Sequence, residues 1–187
     1  AAALLQQSWP FAGTERRSDI YLLTERSRES LVKLRAGNRL EAKRRVGAFG
    51  PLQHWTHHPY PVFPLSRRDL RGLEEELGVT RLKHDAGLSA GHLVARLGEA
   101  TPAILPVTVG KSRLLFRKGS SRAGICRVTV AGSSRLTLAV EDPDPDNARA
   151  TIEALRLGHL PNRSYADMLC RRRIAGRPAP VTSHRVN

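Results

Sequence analysis

The stretch Leu31-Val32-Lys33-Leu34-Arg35-Ala36-Gly37-Asn38-Arg39-Leu40-Glu41-Ala42-Lys43 anchors the reading of this chain. Leu31 to Arg35 has strand character, and Arg39 to Val46 has it again. Between them, Ala36-Gly37-Asn38 is a compact turn of residues that tolerate positive φ. The two runs predict a β-hairpin. A strand sends alternate side chains to opposite faces. Lys33 and Arg35 therefore share a face; on the partner strand Arg39, Glu41 and Lys43 share one face, and Leu40 and Ala42 the other.

The same division recurs further along. Val109, Lys111 and Arg113 fall on one face of a strand expected within Ala103 to Lys118. In Arg135 to Glu141, Arg135, Thr137, Ala139 and Glu141 share one face, and Leu136, Leu138 and Val140 the other. A sheet with one solvated side has this pattern and needs no function. Alternatively the charged faces converge on one interior, where like charges are tolerable only with an anion or water among them.

Other elements follow from local signals. Residues 1–8 read as a helix, and Trp9-Pro10-Phe11-Ala12-Gly13 as a break. Ser18 to Thr24 is strand-like, Glu25 to Ser30 is a polar turn, and Ile125 to Ala131 is a further strand. Pro51, Pro59, Pro61 and Pro64 make 47–64 irregular or edge structure. Helices are expected from the Ser66 cap to Leu77 with Gly78 as its stop, over Ser89 to Ala100, from Asp142–Asp146 to about Leu157, and over Ser164 to Arg172. Glu74, Glu75 and Glu76 cannot share one helical face and read as solvated. The predicted fold is α+β, an antiparallel β-barrel or partly open tunnel with flanking helices. One domain spans 1–170, and 171–187 reads as a basic C-terminal tail.

The chain has 187 residues, with 31 Lys+Arg against 17 Asp+Glu and a formal charge of +14. That length suits one domain with a sizeable core. Five of the basic residues are lysines (Lys33, Lys43, Lys83, Lys111, Lys118); the others are arginines, whose planar fork suits phosphate. A solubilising surface charge has the same composition. No apolar run approaches the ~20 residues of a membrane-spanning helix. Cys126 and Cys170 give neither a disulfide framework nor zinc-ligand spacing. The expectation is a soluble, cytoplasmic protein with an anionic partner and no membrane.

The ordered set of motifs resembles the CYTH domain, or triphosphate tunnel metalloenzyme superfamily. Its residues here are Ser18-Asp19-Ile20-Tyr21, the basic pair Lys33 and Arg35, Lys43, then Lys111-Ser112-Arg113, Val140-Glu141 and Ser164-Tyr165. The likeness covers roughly residues 14–170. It implies a tunnel that holds a triphosphate or polyphosphate-bearing small molecule through Lys33, Arg35, Lys43, Lys111 and Arg113. It also implies triphosphate hydrolysis with Mg²⁺ or Mn²⁺, with Glu141 as a metal ligand. The family's N-terminal Glu-x-Glu-x-Lys strand has no counterpart here, and Ala139 stands where a second late glutamate is usual. Either that strand lies upstream of Ala1 or the member is degenerate, so binding is the expectation ahead of catalysis.

A non-enzymatic nucleic-acid or polyanion binder is the alternative, carried by the charge and the basic tail. Against it, aromatics are 5% of the chain and none alternates with arginine in a strand. His54, His57 and His58 read as loop histidines, Cys126 and Cys170 as small hydrophobes, and Tyr165 as a residue that docks the last helix. An open apolar sheet face would favour a homodimer.

Overall fold

The computed structural model describes residues 1–82 and 88–175. The basic tail expected at 171–187 lies, beyond Ala175, outside the described residues. Among the described residues the elements are α1 (Ala2–Ser8), β1 (Phe11–Leu23), a 3₁₀ turn (Glu25–Arg28), β2 (Ser30–Arg35), β3 (Arg39–Phe49), β4 (Leu52–Pro59), α2 (Arg67–Leu77), α3 (Ala90–Arg96), β5 (Leu105–Lys118), β6 (Ser121–Val130), β7 (Ser133–Glu141), α4 (Pro145–Ala154) and α5 (Tyr165–Ala175). The strands form one seven-stranded antiparallel sheet in the order β4-β3-β2-β1-β5-β6-β7. The expected hairpin is present, with Lys33 opposite Glu41 and Arg35 opposite Arg39.

The sheet curls. Lys43 on β3 lies 3.8 Å from Glu141 on β7, although four strands separate β3 from β7 in the hydrogen-bonded order. The side chains of Glu15, Asp19 and Tyr21 on β1, Lys33 on β2, and Lys111 and Arg113 on β5 all project to the concave side. The result is the α+β, partly open barrel with flanking helices.

The convex face is apolar and covered by helices. Leu22, Val32, Leu34, Leu40 and Ala42 pack against Leu70, Leu73 and Leu77 of α2 and Leu93 of α3. Leu5 of α1 packs with Phe116, Ala123, Ile125 and Leu155 over the β5–β7 part of the sheet. At the Tyr21–Leu23 end the concave side is apolar too. There Ala166 and Leu169 of α5 join Tyr21, Leu23, Val109, Cys126 and Val128.

Of the boundaries that differ from the sequence reading, the start of the first strand bears most on the concave face. The first strand begins at Phe11, not Ser18, so the expected break at 9–13 is mostly strand; its bulge lies between Phe11 and Gly13. Pairing with the 14-residue β5 overrides the local break signals of Pro10 and Gly13. Within 47–64, the edge alternative holds: Leu52–Pro59 is a regular edge strand paired with β3, with Pro51 just before it and Pro59 at its end. The β3–β4 turn is tied down where Asn162 Nδ2 donates to the Pro51 carbonyl at 2.7 Å.

The α2 ends are chemically specified. Ser66 and Asp69 form a reciprocal capping box. Gly78 ends the helix at φ 65°, where a side chain is strained. A Cβ on Gly78 would also collide with the Arg26 side chain at Cδ. Gly78→Ala is expected to cost ~1–2 kcal/mol, read as a lower urea midpoint with an unchanged slope. An unaltered midpoint counts against this role.

Candidate functional site

The concave face carries a charged cluster from five strands. β1 supplies it through an alternation the sequence reading did not extend far enough to see: Glu15, Arg17, Asp19 and Tyr21 lie on one face. Asp19 is fully buried at the centre. Lys111 Nζ donates to Asp19 Oδ2 at 2.9 Å, Arg17 Nε to Oδ1 at 3.0 Å, and Lys33 Nζ lies 3.8 Å from Oδ2. The Ala36 backbone N–H also donates to Asp19 Oδ1 at 3.3 Å, tying the hairpin turn to β1.

Lys111 stands on an aromatic floor. Its ammonium donates to the Tyr21 hydroxyl at 2.6 Å and lies 4.4 Å from the Tyr165 ring centroid. Tyr165 thus docks α5 and also faces the cluster, with its hydroxyl 3.3 Å from Thr137 Oγ1. Burial pulls the Lys111 ammonium down to about 8, and the bond to Asp19 only partly offsets this. Lys33 is likewise lowered by burial despite Asp19 and Glu41.

Two further carboxylates complete the network. Glu41 lies 3.2 Å from Lys33 and 3.6 Å from Arg35, and accepts from Arg39 at 2.9 Å. Glu15 accepts from Arg35 at 2.9 Å and Arg113 at 3.1 Å, and pairs with Arg17. Burial alone would raise the carboxyls of Glu15, Asp19 and Glu41; their cations overcome it and hold all three below the ordinary values of 4.5 and 3.8.

All five basic residues singled out from sequence belong to this face. Lys33, Arg35, Lys111 and Arg113 share the carboxylates Glu15, Asp19 and Glu41, and Lys43 meets Glu141 across the opening. With Arg17 and Arg39, seven cations face the four carboxylates Glu15, Asp19, Glu41 and Glu141, an excess of three positive charges. Exposure rises outward: the side chain of Lys111 is 3% exposed, Arg35 34% and Lys43 40%. A cavity of about 320 Å³ opens beside Arg35, Ala36, Asn38 and Arg39 at the hairpin turn.

The sequence reading missed Glu15, Arg17, Asp19 and Glu41 as members of the site. Asp19 and Glu41 were visible as residues of the right parity; Glu15 and Arg17 were hidden by starting the strand at Ser18. Glu76, expected on a solvated face, is instead buried, bonded by Ser30 Oγ and by Arg44 at 2.7 Å. It faces the sheet because α2 lies across it, a tertiary fact that helical parity within Glu74–Glu76 does not contain. His54, His57 and His58 are exposed residues of β4, not loop residues.

The residues do not make a preformed site for Mg²⁺ or Mn²⁺. Among the described residues no group of three or more His, Cys, Asp or Glu is placed to hold a metal ion. Glu15, Asp19 and Glu41 are each held by at least three cationic side chains. Glu141 is 62% exposed and meets Lys43.

The sequence matches no family model and no curated protein. The fold is similar to those of two solved archaeal proteins. The PH1012 protein from Pyrococcus horikoshii OT3 superposes with a TM-score of 0.51 at 17% identity, over 86% of this chain and 85% of that one. A conserved hypothetical protein from Pyrococcus furiosus, Pfu-838710-001, gives 0.50 at 14% identity, over 88% and 90%. At these identities the likeness is one of fold. Among the described residues, no helix is long and apolar enough to cross a membrane.

Asp19→Asn is expected to destabilise the protein by about 3 kcal/mol or more, because it leaves Lys111 and Lys33 buried without their shared partner. Chemical denaturation measures this; wild-type stability in the variant contradicts the central role of Asp19. The acid limb of stability follows from the same carboxyls. Their folded values are depressed, so the stabilisation is complete above the unfolded values and is lost as pH falls below about 5. Urea midpoints between pH 3 and 7 should fall on acidification, less steeply in Asp19→Asn.

Proposed function

We propose that the concave face binds a ligand bearing a triphosphate or longer polyphosphate, through Lys33, Arg35, Lys43, Lys111 and Arg113. The observation that carries this reading is the convergence of seven cations from β1, β2, β3 and β5 on one curled surface, against four carboxylates. A linear polyanion adds the negative charge the cluster lacks, and arginine forks suit its oxygens. The resemblance of the motifs to the CYTH domain supports the same reading.

The residues take different parts. Arg35, Lys43 and Arg113 are the half-buried, outer members and contact the ligand first. Lys33 and Lys111, bound to Asp19 and nearly closed off, contribute the positive field at the base. A flexible phosphate chain can follow such a gradient inward. Hydrolysis is not part of the proposal, since Glu141 alone does not make a metal centre and the other carboxylates are engaged by cations. No catalytic step is assigned.

Calorimetry with sodium tripolyphosphate at moderate salt tests the reading directly. Saturable binding is expected, weakened about fivefold to tenfold by Lys43→Ala, whose ion pair to Glu141 is loose enough to leave folding intact. Removal of residues 176–187, which leaves α5 whole, should change it less. An equal loss from the tail deletion points instead to general polyanion attraction, the nucleic-acid alternative included. Affinity should also fall as pH rises above about 8, where Lys111 loses its proton, by at most about tenfold per pH unit. A flat profile from pH 7 to 9.5 removes Lys111 from the binding field.

A further inference from the structure

Glu15 differs from Asp19 and Glu41, the other carboxylates held by three cations each. Asp19 is fully buried and Glu41 nearly so, whereas the Glu15 side chain is 25% exposed. Guanidinium groups from three strands surround it: Arg35 of β2 at 2.9 Å, Arg113 of β5 at 3.1 Å, and Arg17 of β1 itself. Three converging forks offer more donors and more charge than one carboxylate can satisfy. They are a built anion position that the chain fills with its own side chain.

We infer that Glu15 is a tethered anion occupying a phosphate position formed by Arg17, Arg35 and Arg113, and that a ligand enters by displacing it. The inference rests on the polyphosphate reading above and deepens it. Glu15 is the exchangeable carboxylate, because it is already partly hydrated and an incoming phosphate takes over the three arginines it leaves. Asp19 cannot do the same, since leaving would strand Lys111 and Lys33.

The tether makes Glu15 a specificity determinant. A side chain fixed beside its site competes at an effective concentration in the millimolar range or above. Orthophosphate offers the three arginines little that Glu15 does not already give, so it loses that competition. A condensed phosphate places one group in the arginine position and carries further charges for the other cations of the concave face, which a single carboxylate does not. Chain length and charge density of the ligand are thereby selected.

The experiment uses the full chain and its Glu15→Gln and Glu15→Asp variants, titrated calorimetrically with sodium tripolyphosphate and with sodium orthophosphate. Glu15→Gln should bind tripolyphosphate about tenfold tighter than wild type, and orthophosphate binding should become measurable. Tripolyphosphate should also raise the melting temperature of Glu15→Gln more than that of wild type. Glu15→Asp withdraws the carboxylate by one methylene while keeping its charge, and should fall between the two. If wild type binds tripolyphosphate but Glu15→Gln binds it equally or less tightly, the tethered-anion inference fails and the polyphosphate reading stands. If neither protein binds, both fail. Should Glu15→Gln not fold, Glu15→Asp decides: affinity at or below wild type overturns the inference.

Discussion

One buried carboxylate, Asp19, lets the rest of the concave face exist. Arg17, Lys33 and Lys111 come from three adjacent strands and all approach it. Three cations in so small a space repel one another strongly at the low effective dielectric of a protein interior. Asp19 and its neighbour Glu41 turn that repulsion into a network, and the Ala36 N–H adds a bond from the hairpin turn. The shared ion pairs do not make the sheet more stable than an apolar interior would. Their consequence is register: a slip of one residue in β2 or β5 would send Lys33 or Lys111 to the helix-covered side.

The architecture divides labour between the faces of a single sheet. The convex side buries leucine-rich surface under α2 and α3 and, over the later strands, under α1 and α4. The concave side is apolar only where α5 closes on Tyr21 and Val109. Lys111 lies at the boundary, between aromatic rings and carboxylate, which is why its ammonium is both paired and lowered. Charge becomes progressively more hydrated away from that boundary, and the groups able to exchange partners are the outer ones.

Much of this arrangement was legible from alternation. The hairpin over 31–46, the charged and apolar parity of its strands, and the Ser66 cap with its Gly78 stop could be read from local spacing, whereas the set Lys33, Arg35, Lys43, Lys111 and Arg113 was singled out by the resemblance of its motifs to the CYTH domain. What escaped reading has a common cause. Pro10 and Gly13 are break signals, and only the long ladder to β5 recruits Phe11–Arg17 into the strand, so Glu15 and Arg17 stayed out of view. The buried Glu76 likewise depends on partners distant in sequence, Ser30 and Arg44.

The sequence by itself determined which residue types alternate on which strand face, because the period of two is a property of the local backbone. It also determined the large positive charge and the absence of a paired late glutamate at Ala139. Only the tertiary structure decided that the charged faces meet, that Lys43 lies across an opening from Glu141, and that acids are threaded among the bases. The reason is physical. Curvature of the sheet and register between strands far apart in the chain set the distances between charges, and Coulomb energy depends on those distances, not on spacing in sequence.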